Sequence, residues 1–208
     1  MNAFYYVLKD SINDLLRNKV RTLLKSIFSF LYFFFLAILF HGWFTVIHLE
    51  EIEQKRILEQ TDSLEALLQS DSNEGLLTLL NSLKIALLIF SIGLFLFGVL
   101  YLFLYFHRAI ILDKKELIIK KMLGASALQV TWELFLGSLL LIIPSCILSF
   151  FVAESLYTFF FLSSDSWLTN VLYPPSYFVL YVDFSLVGLF SLLLVCQFLY
   201  SKQKITDL

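Results

Sequence analysis

Few residues in this sequence could do reaction chemistry, and they are scattered. His41, His48 and His107 have no cysteine or carboxylate at ligand spacing, so they do not compose a metal site. Cys146 and Cys196 fall inside apolar runs and read as small packing residues, not as a disulfide. No nucleophile has a base partner, and no G-x-x-x-x-G-K-[ST] loop is present to cradle a nucleotide phosphate. The chain is therefore not expected to be an enzyme or to bind a cofactor of its own. Glu133 is the one carboxylate at the start of an apolar run. At a membrane interface beside Trp132 it would be solvated or paired with a lysine; deeper, it would be a functional group in lipid.

What remains is the chemistry of contact. In "DKKELIIKKMLGAS", residues 113–126, Lys114, Lys115, Glu116, Lys120 and Lys121 alternate with Leu117, Ile118, Met122 and Leu123. On a helix, Leu117, Lys120, Lys121 and Gly124 fall near one another. Gly124 would end that helix at little cost and Ser126 would cap the next. A soluble partner pressing on such a piece could move the segments on either side. The alternative is an interfacial connector whose lysines meet anionic lipid headgroups.

The segments on either side are membrane spans. Of 208 residues, 59% are hydrophobic and only 15% are charged, against about a quarter in soluble domains. Mean hydropathy is +0.83. Four uncharged stretches reach or approach the roughly 20 residues a bilayer demands. They give spans at 26–49, 85–106, 128–153 and 177–200, the fourth tolerating Asp183. The expected fold is an all-α membrane protein with four transmembrane helices. Twelve of the fifteen basic residues fall before the first span, between the second and third, or after the fourth. The positive-inside rule makes that side cytoplasmic, with both termini inside.

The remaining segments follow from this frame. Residues 1–25 form an amphipathic elbow, with Phe4, Val7, Leu8, Ile12, Leu15 and Leu16 at helical spacing, fit to lie on the inner surface. Residues 50–84 form a short acidic outer segment, read as two short helices broken at "SDSNEG". It either extends the first two spans or offers a docking surface. Residues 107–127 hold the cytoplasmic connector, and 154–176 an aromatic segment with Tyr157, Trp167 and Tyr173 suited to the headgroup layer. Residues 201–208 are a cytoplasmic tail. Pro144 is a candidate hinge in the third span. Gly93 and Gly98 permit close helix approach in the second.

At the connector the chain resembles FtsX-like and MacB-like permeases, the membrane subunits of type VII ABC transporters. "HRAIILDKKELIIKKMLGASALQVTWELFLGSLLL" matches their R-x-x-E-I-x-I-x-K-x-x-G-A-S pattern, with Arg108, Lys115, Glu116, Ile118, Lys120, Lys121, Leu123, Gly124, Ala125 and Ser126 in the matching places. "LLRNKVRTLLKSIFSF" and "SKQKITDL" resemble the flanking segments. The large external domain common in that family has no counterpart here. Gly137 stands where the third span often carries glutamate.

The resemblance implies a mechanism in which ATP is bound and hydrolysed by a separate ATPase dimer. Lys114, Lys115, Glu116, Lys120 and Lys121 would contact that dimer, with Leu117 and Met122 as apolar anchors and Gly124 closing the helix. It further implies a bacterial cytoplasmic membrane, with a second permease subunit favoured over a homodimer. An extracytoplasmic accessory protein and membrane lipids would be further partners, and nucleic acid none. Three functions stay open at this point. They are export or extraction of a peptide, lipid or antimicrobial compound; transmission of a signal to an external cell-wall hydrolase; and a scaffold without an ATPase.

Overall fold

A computed structural model describes residues 19–60, 66–163 and 176–206, together with Lys9, Ile12 and Arg17. The described residues are helical throughout apart from short turns, with no strand among them. Five helices follow in order: α1 Lys19–Gln60, α2 Ala66–Leu112, α3 Lys114–Met122, α4 Ala127–Ser163 and α5 Ser176–Thr206. Four contain a stretch long and apolar enough to cross a membrane: Thr22–Ile57, Gly75–Leu112, Ala127–Phe160 and Leu180–Thr206. The four predicted spans fall on these four helices. In lipid each backbone polar group must be satisfied within its own segment, and continuous helices achieve that.

The helices outrun the predicted span limits. At 1.5 Å per residue, the 42 residues of α1 make a rod about 63 Å long, about twice a hydrocarbon core of roughly 30 Å. The acidic 50–84 segment is accordingly a continuation of α1 and α2 among the described residues. This corrects the expected break at "SDSNEG", because α2 runs through Ser70–Gly75. One glycine in a helix costs about 1 kcal/mol, too little to interrupt a helix anchored in a membrane span. Likewise α4 runs on to Ser163, with Pro144 inside it, and the tail stays helical to Thr206.

Of the N-terminal elbow, Lys9, Ile12 and Arg17 are helical and exposed. Phe4, Val7, Leu8, Leu15 and Leu16 lie outside the described residues, as do Trp167 and Tyr173. Tyr157, expected in the headgroup layer, sits within α4 with its ring edge-on to His41 at 5.4 Å.

The described chain divides into two compact units. One contains the residues up to Phe34, Leu96–Phe151 and those from Ser185 onward; the other contains Phe35–Phe95 and Val152–Phe184. In the first, an aromatic column ties three helices together. Phe106 of α2 stacks on Phe135 of α4 with ring centroids 4.0 Å apart, and Phe135 meets Phe198 of α5 edge-on at 5.3 Å. Phe106 and Phe135 are fully buried, whereas Leu104, Ile147 and Leu192 point outward. Large apolar side chains facing out and small polar ones such as Thr131, Ser149 and Ser201 buried inside is the distribution a lipid solvent favours. Gly98 also belongs to this unit. A methyl group there would overlap the Tyr32 phenol of α1, so the glycine is what lets that ring lie against α2. Gly93 has no such neighbour.

In the second unit, Lys84 of α2 pairs with Glu50 of α1, and Glu53 pairs with Arg56 one turn on.

Candidate functional site

The connector is built by local signals. Only Asp113 separates α2 from α3, and its amide still donates to the Ala109 carbonyl at 3.0 Å. At the other end Gly124 adopts φ +91°, a left-handed conformation that glycine accepts without a side-chain penalty. The Ala125 amide then donates to the Lys120 carbonyl and the Gly124 amide to the Lys121 carbonyl, each at 3.1 Å. That pair of bonds is a Schellman motif, which satisfies the last carbonyls of α3. The Ser126 hydroxyl accepts from the Gln129 amide at 3.3 Å and so caps α4. Gly124 and Ser126 thus have the parts expected of them.

One face of α3 is fastened to the chain itself. Leu117 is 6% exposed and packs in a cluster with Ile110 of α2, Val130 of α4 and Ile205 of α5. The side chain expected to anchor a partner is here engaged in the internal core. The reason is its position on the helix, where it shares a stripe with two lysines that bond to α4 and α5. Lys120 Nζ lies 2.6 Å from Glu133 Oε1 and 2.9 Å from Glu116 Oε1. Its partial burial disfavours the charge, but the hydrogen bonds to Glu133 and Glu116 outweigh that and hold the ammonium above its ordinary range. Glu133 therefore takes the lysine-paired role open to it. Lys121 Nζ donates to the Thr206 carbonyl at 2.7 Å and lies 3.5 Å from that of Ile205, so it caps the end of α5. Lys204 Nζ lies 2.9 Å from His107 Nδ1, tying α5 to α2.

The opposite face is open. Lys114, Lys115 and Glu116 are exposed, and Met122 is 83% and Leu123 82% exposed. Ile119, also exposed, extends this apolar surface. Ile119 and Leu123 were not among the residues singled out for contact. Their signal lay in the spacing, since positions 119, 122 and 123 share one helical face.

The ionisable groups inside the spans are sparse. His41 Nε2 and Asp183 Oδ1 stand 3.8 Å apart in the second unit, too far for a hydrogen bond, and neither atom has another hydrogen-bond partner. This juxtaposition is not legible in the sequence, because its two members lie on the first and last spans. Among the described residues neither Cys146 nor Cys196 takes part in a disulfide. Among the described residues no three histidine, cysteine, aspartate or glutamate side chains are grouped to hold a metal.

A family model described as FtsX-like permease C-terminal matches residues 88–201, more than half of the chain. The match runs from α2 through the connector into α5 and so includes the contacts of α3 with α2 and α4, while Ile205 and Thr206 lie just beyond it. Searches of curated proteins and of solved structures returned no match.

Proposed function

Because this chain belongs to the FtsX-like permease C-terminal family, we propose that it is the membrane subunit of an ATP-driven ABC-type transporter in which a separate ATPase dimer acts on α3. ATP stays with that partner, and this chain performs no hydrolysis. Its task is to carry a displacement through the membrane and so drive export or extraction of a peptide, lipid or antimicrobial compound. The charge bias supports a bacterial cytoplasmic membrane with both termini and α3 inside. The short acidic outer segment favours assembly with a second permease subunit, and leaves room for an external accessory protein.

The observation that carries this reading is the two-sidedness of α3. Its inner face is locked to three spans by Leu117, Lys120 and Lys121. Its outer face offers Ile119, Met122 and Leu123 beside Lys114 and Lys115. A partner that grips the outer face would move α2, α4 and α5 together, because interfaces of this kind shift as packed units and do not deform continuously. The revised contact set is Lys114, Lys115, Glu116, Ile119, Met122 and Leu123. Gly124 terminates the helix, and Pro144 is a hinge within α4.

Purification of the native complex in mild detergent, followed by mass spectrometry of its chains, tests this directly. A stoichiometric ATPase is the expected result. Met122→Glu combined with Leu123→Glu should remove the ATPase while leaving this chain folded. A native complex without an ATPase would sink the proposal.

A further inference from the structure

We propose that this chain holds a long-chain carboxylate, a fatty-acid-like amphiphile, in a cavity within the first unit. The proposal does not depend on the ATPase reading. The cavity measures about 330 Å³, within the range of small-molecule pockets. All four spans line it. Phe33, Phe150 and Phe190 form a buried floor, with Phe33 and Phe190 edge-on at 4.9 Å. Phe97 and Ile143, both about half exposed, with the outward-turned Ile147, make the apolar rim through which it opens. The lining is predominantly apolar, interrupted by the hydroxyls of Ser29, Tyr32, Tyr101 and Ser191, and an acyl chain is the apolar group a membrane supplies.

The cavity does not end in apolar surface. Ser29, Tyr101, Leu102 and Ile142 line both it and a second, smaller space of about 40 Å³. That space is bordered by Lys25, Tyr105 and Ser138, with Leu141 beside them. The Lys25 ammonium donates to Tyr105 Oη at 3.1 Å and stands 4.9 Å from the centre of the same ring. Ser138 Oγ donates to Tyr105 Oη at 3.2 Å. No carboxylate of the described residues pairs with Lys25, which stands near the N-terminal end of the apolar stretch Thr22–Ile57.

An ammonium has three donors, and one bond to a phenol leaves two unused. A cation at the edge of a membrane span favours an anionic group beside it. A cavity needs roughly 10–15 Å³ to hold one water, so a space of this size suits a carboxylate better than a bulky phosphodiester. The two spaces together have the shape of a single-chain amphiphile: an apolar trough with a small cationic head site at one end.

The test uses the full chain in phosphatidylcholine nanodiscs and a photoactivatable fatty acid carrying a diazirine on its chain. Labelled residues are mapped by peptide mass spectrometry. Saturable labelling of Phe33, Phe150 and Phe190 is expected, with competition by unlabelled oleate but not by oleyl alcohol. Lys25→Gln should weaken labelling about tenfold, the loss expected from one charge-assisted hydrogen bond. Cys146→Phe, which fills the trough and leaves Lys25 in place, should abolish it. Labelling that does not saturate, or that oleyl alcohol competes equally well, would overturn the proposal and leave the cavity as bilayer-filled space. Equal competition by oleoyl-lysophosphatidylglycerol would overturn the carboxylate assignment. Should Lys25→Gln fail to fold, the comparison of acid with alcohol on the unaltered chain decides alone.

Discussion

Replacing Leu117 with alanine should separate the two faces of α3. Leu117 is 6% exposed among Ile110, Val130 and Ile205, with Ala125, Ala127 and Leu134 around them. Burying a leucine side chain is worth about 1.5–3 kcal/mol in transfer free energy alone. The cavity left behind adds to that, and its size depends on how far the neighbours collapse. Three of those neighbours are β-branched, with restricted χ1, and two are alanines with nothing to swing inward. The cost should therefore sit in the upper part of the leucine-to-alanine range, about 3–5 kcal/mol.

Met122→Ala and Leu123→Ala make the control. Both residues are more than four-fifths exposed, and surface changes of this kind stay within about 0.5 kcal/mol. Unfolding in mild detergent, followed by tryptophan fluorescence, reads stability. Co-purification of the ATPase reads contact. Leu117→Ala should lower stability sharply, while Met122→Ala with Leu123→Ala should leave stability intact and weaken ATPase retention. If Leu117→Ala unfolds like the unaltered chain, or if the surface pair costs as much as Leu117, the division of α3 into inner and outer faces is wrong.

Three further outcomes follow from the same contacts. Gly98→Val should cost about 1–3 kcal/mol through overpacking against Tyr32, whereas Gly93→Ala, in open space, should be tolerated; thermal unfolding distinguishes them. For His41 and Asp183, whose facing atoms already lack hydrogen-bond partners, each single change to leucine should cost less than about 1 kcal/mol, and a double-mutant cycle should show little coupling between them. Lys120 is held above the ordinary lysine value of 10.5, so its stabilising contribution is complete below that value and fades as pH rises through the raised one. The stability gap between the unaltered chain and Lys120→Met should thus be flat from neutral pH to 10.5 and close above it.

The features legible in the sequence were those written in consecutive residues. Span positions followed from uncharged runs, and the end of α3 from Gly124 and Ser126, because left-handed glycine and a serine cap act within a few residues of themselves. Glu133 was readable as a lysine partner because a carboxylate at the edge of a span has few other options. Which way α3 faces was not readable. A nine-residue amphipathic helix between two spans has two apolar stripes, through Leu117 and through Met122, and only packing against α2, α4 and α5 chooses between them. The break expected at Ser70–Gly75 failed for a related reason: local propensities of about 1 kcal/mol compete with a helix of 47 residues. His41 with Asp183, and Lys25 with its two adjoining spaces, are tertiary facts that no local pattern encodes.

The aromatic contact of Trp132 has an optical consequence. Its indole packs on Phe198 at 4.9 Å and is 40% exposed, and the next residue in the chain, Glu133, holds Lys120 of α3. Any displacement of α3 that drags Glu133 must alter the polarity around this fluorophore. With Trp43 and Trp167 replaced by phenylalanine, the emission maximum of Trp132 becomes a native gauge of the connector. It needs no attached dye, and it sits one residue from the joint whose movement it would report.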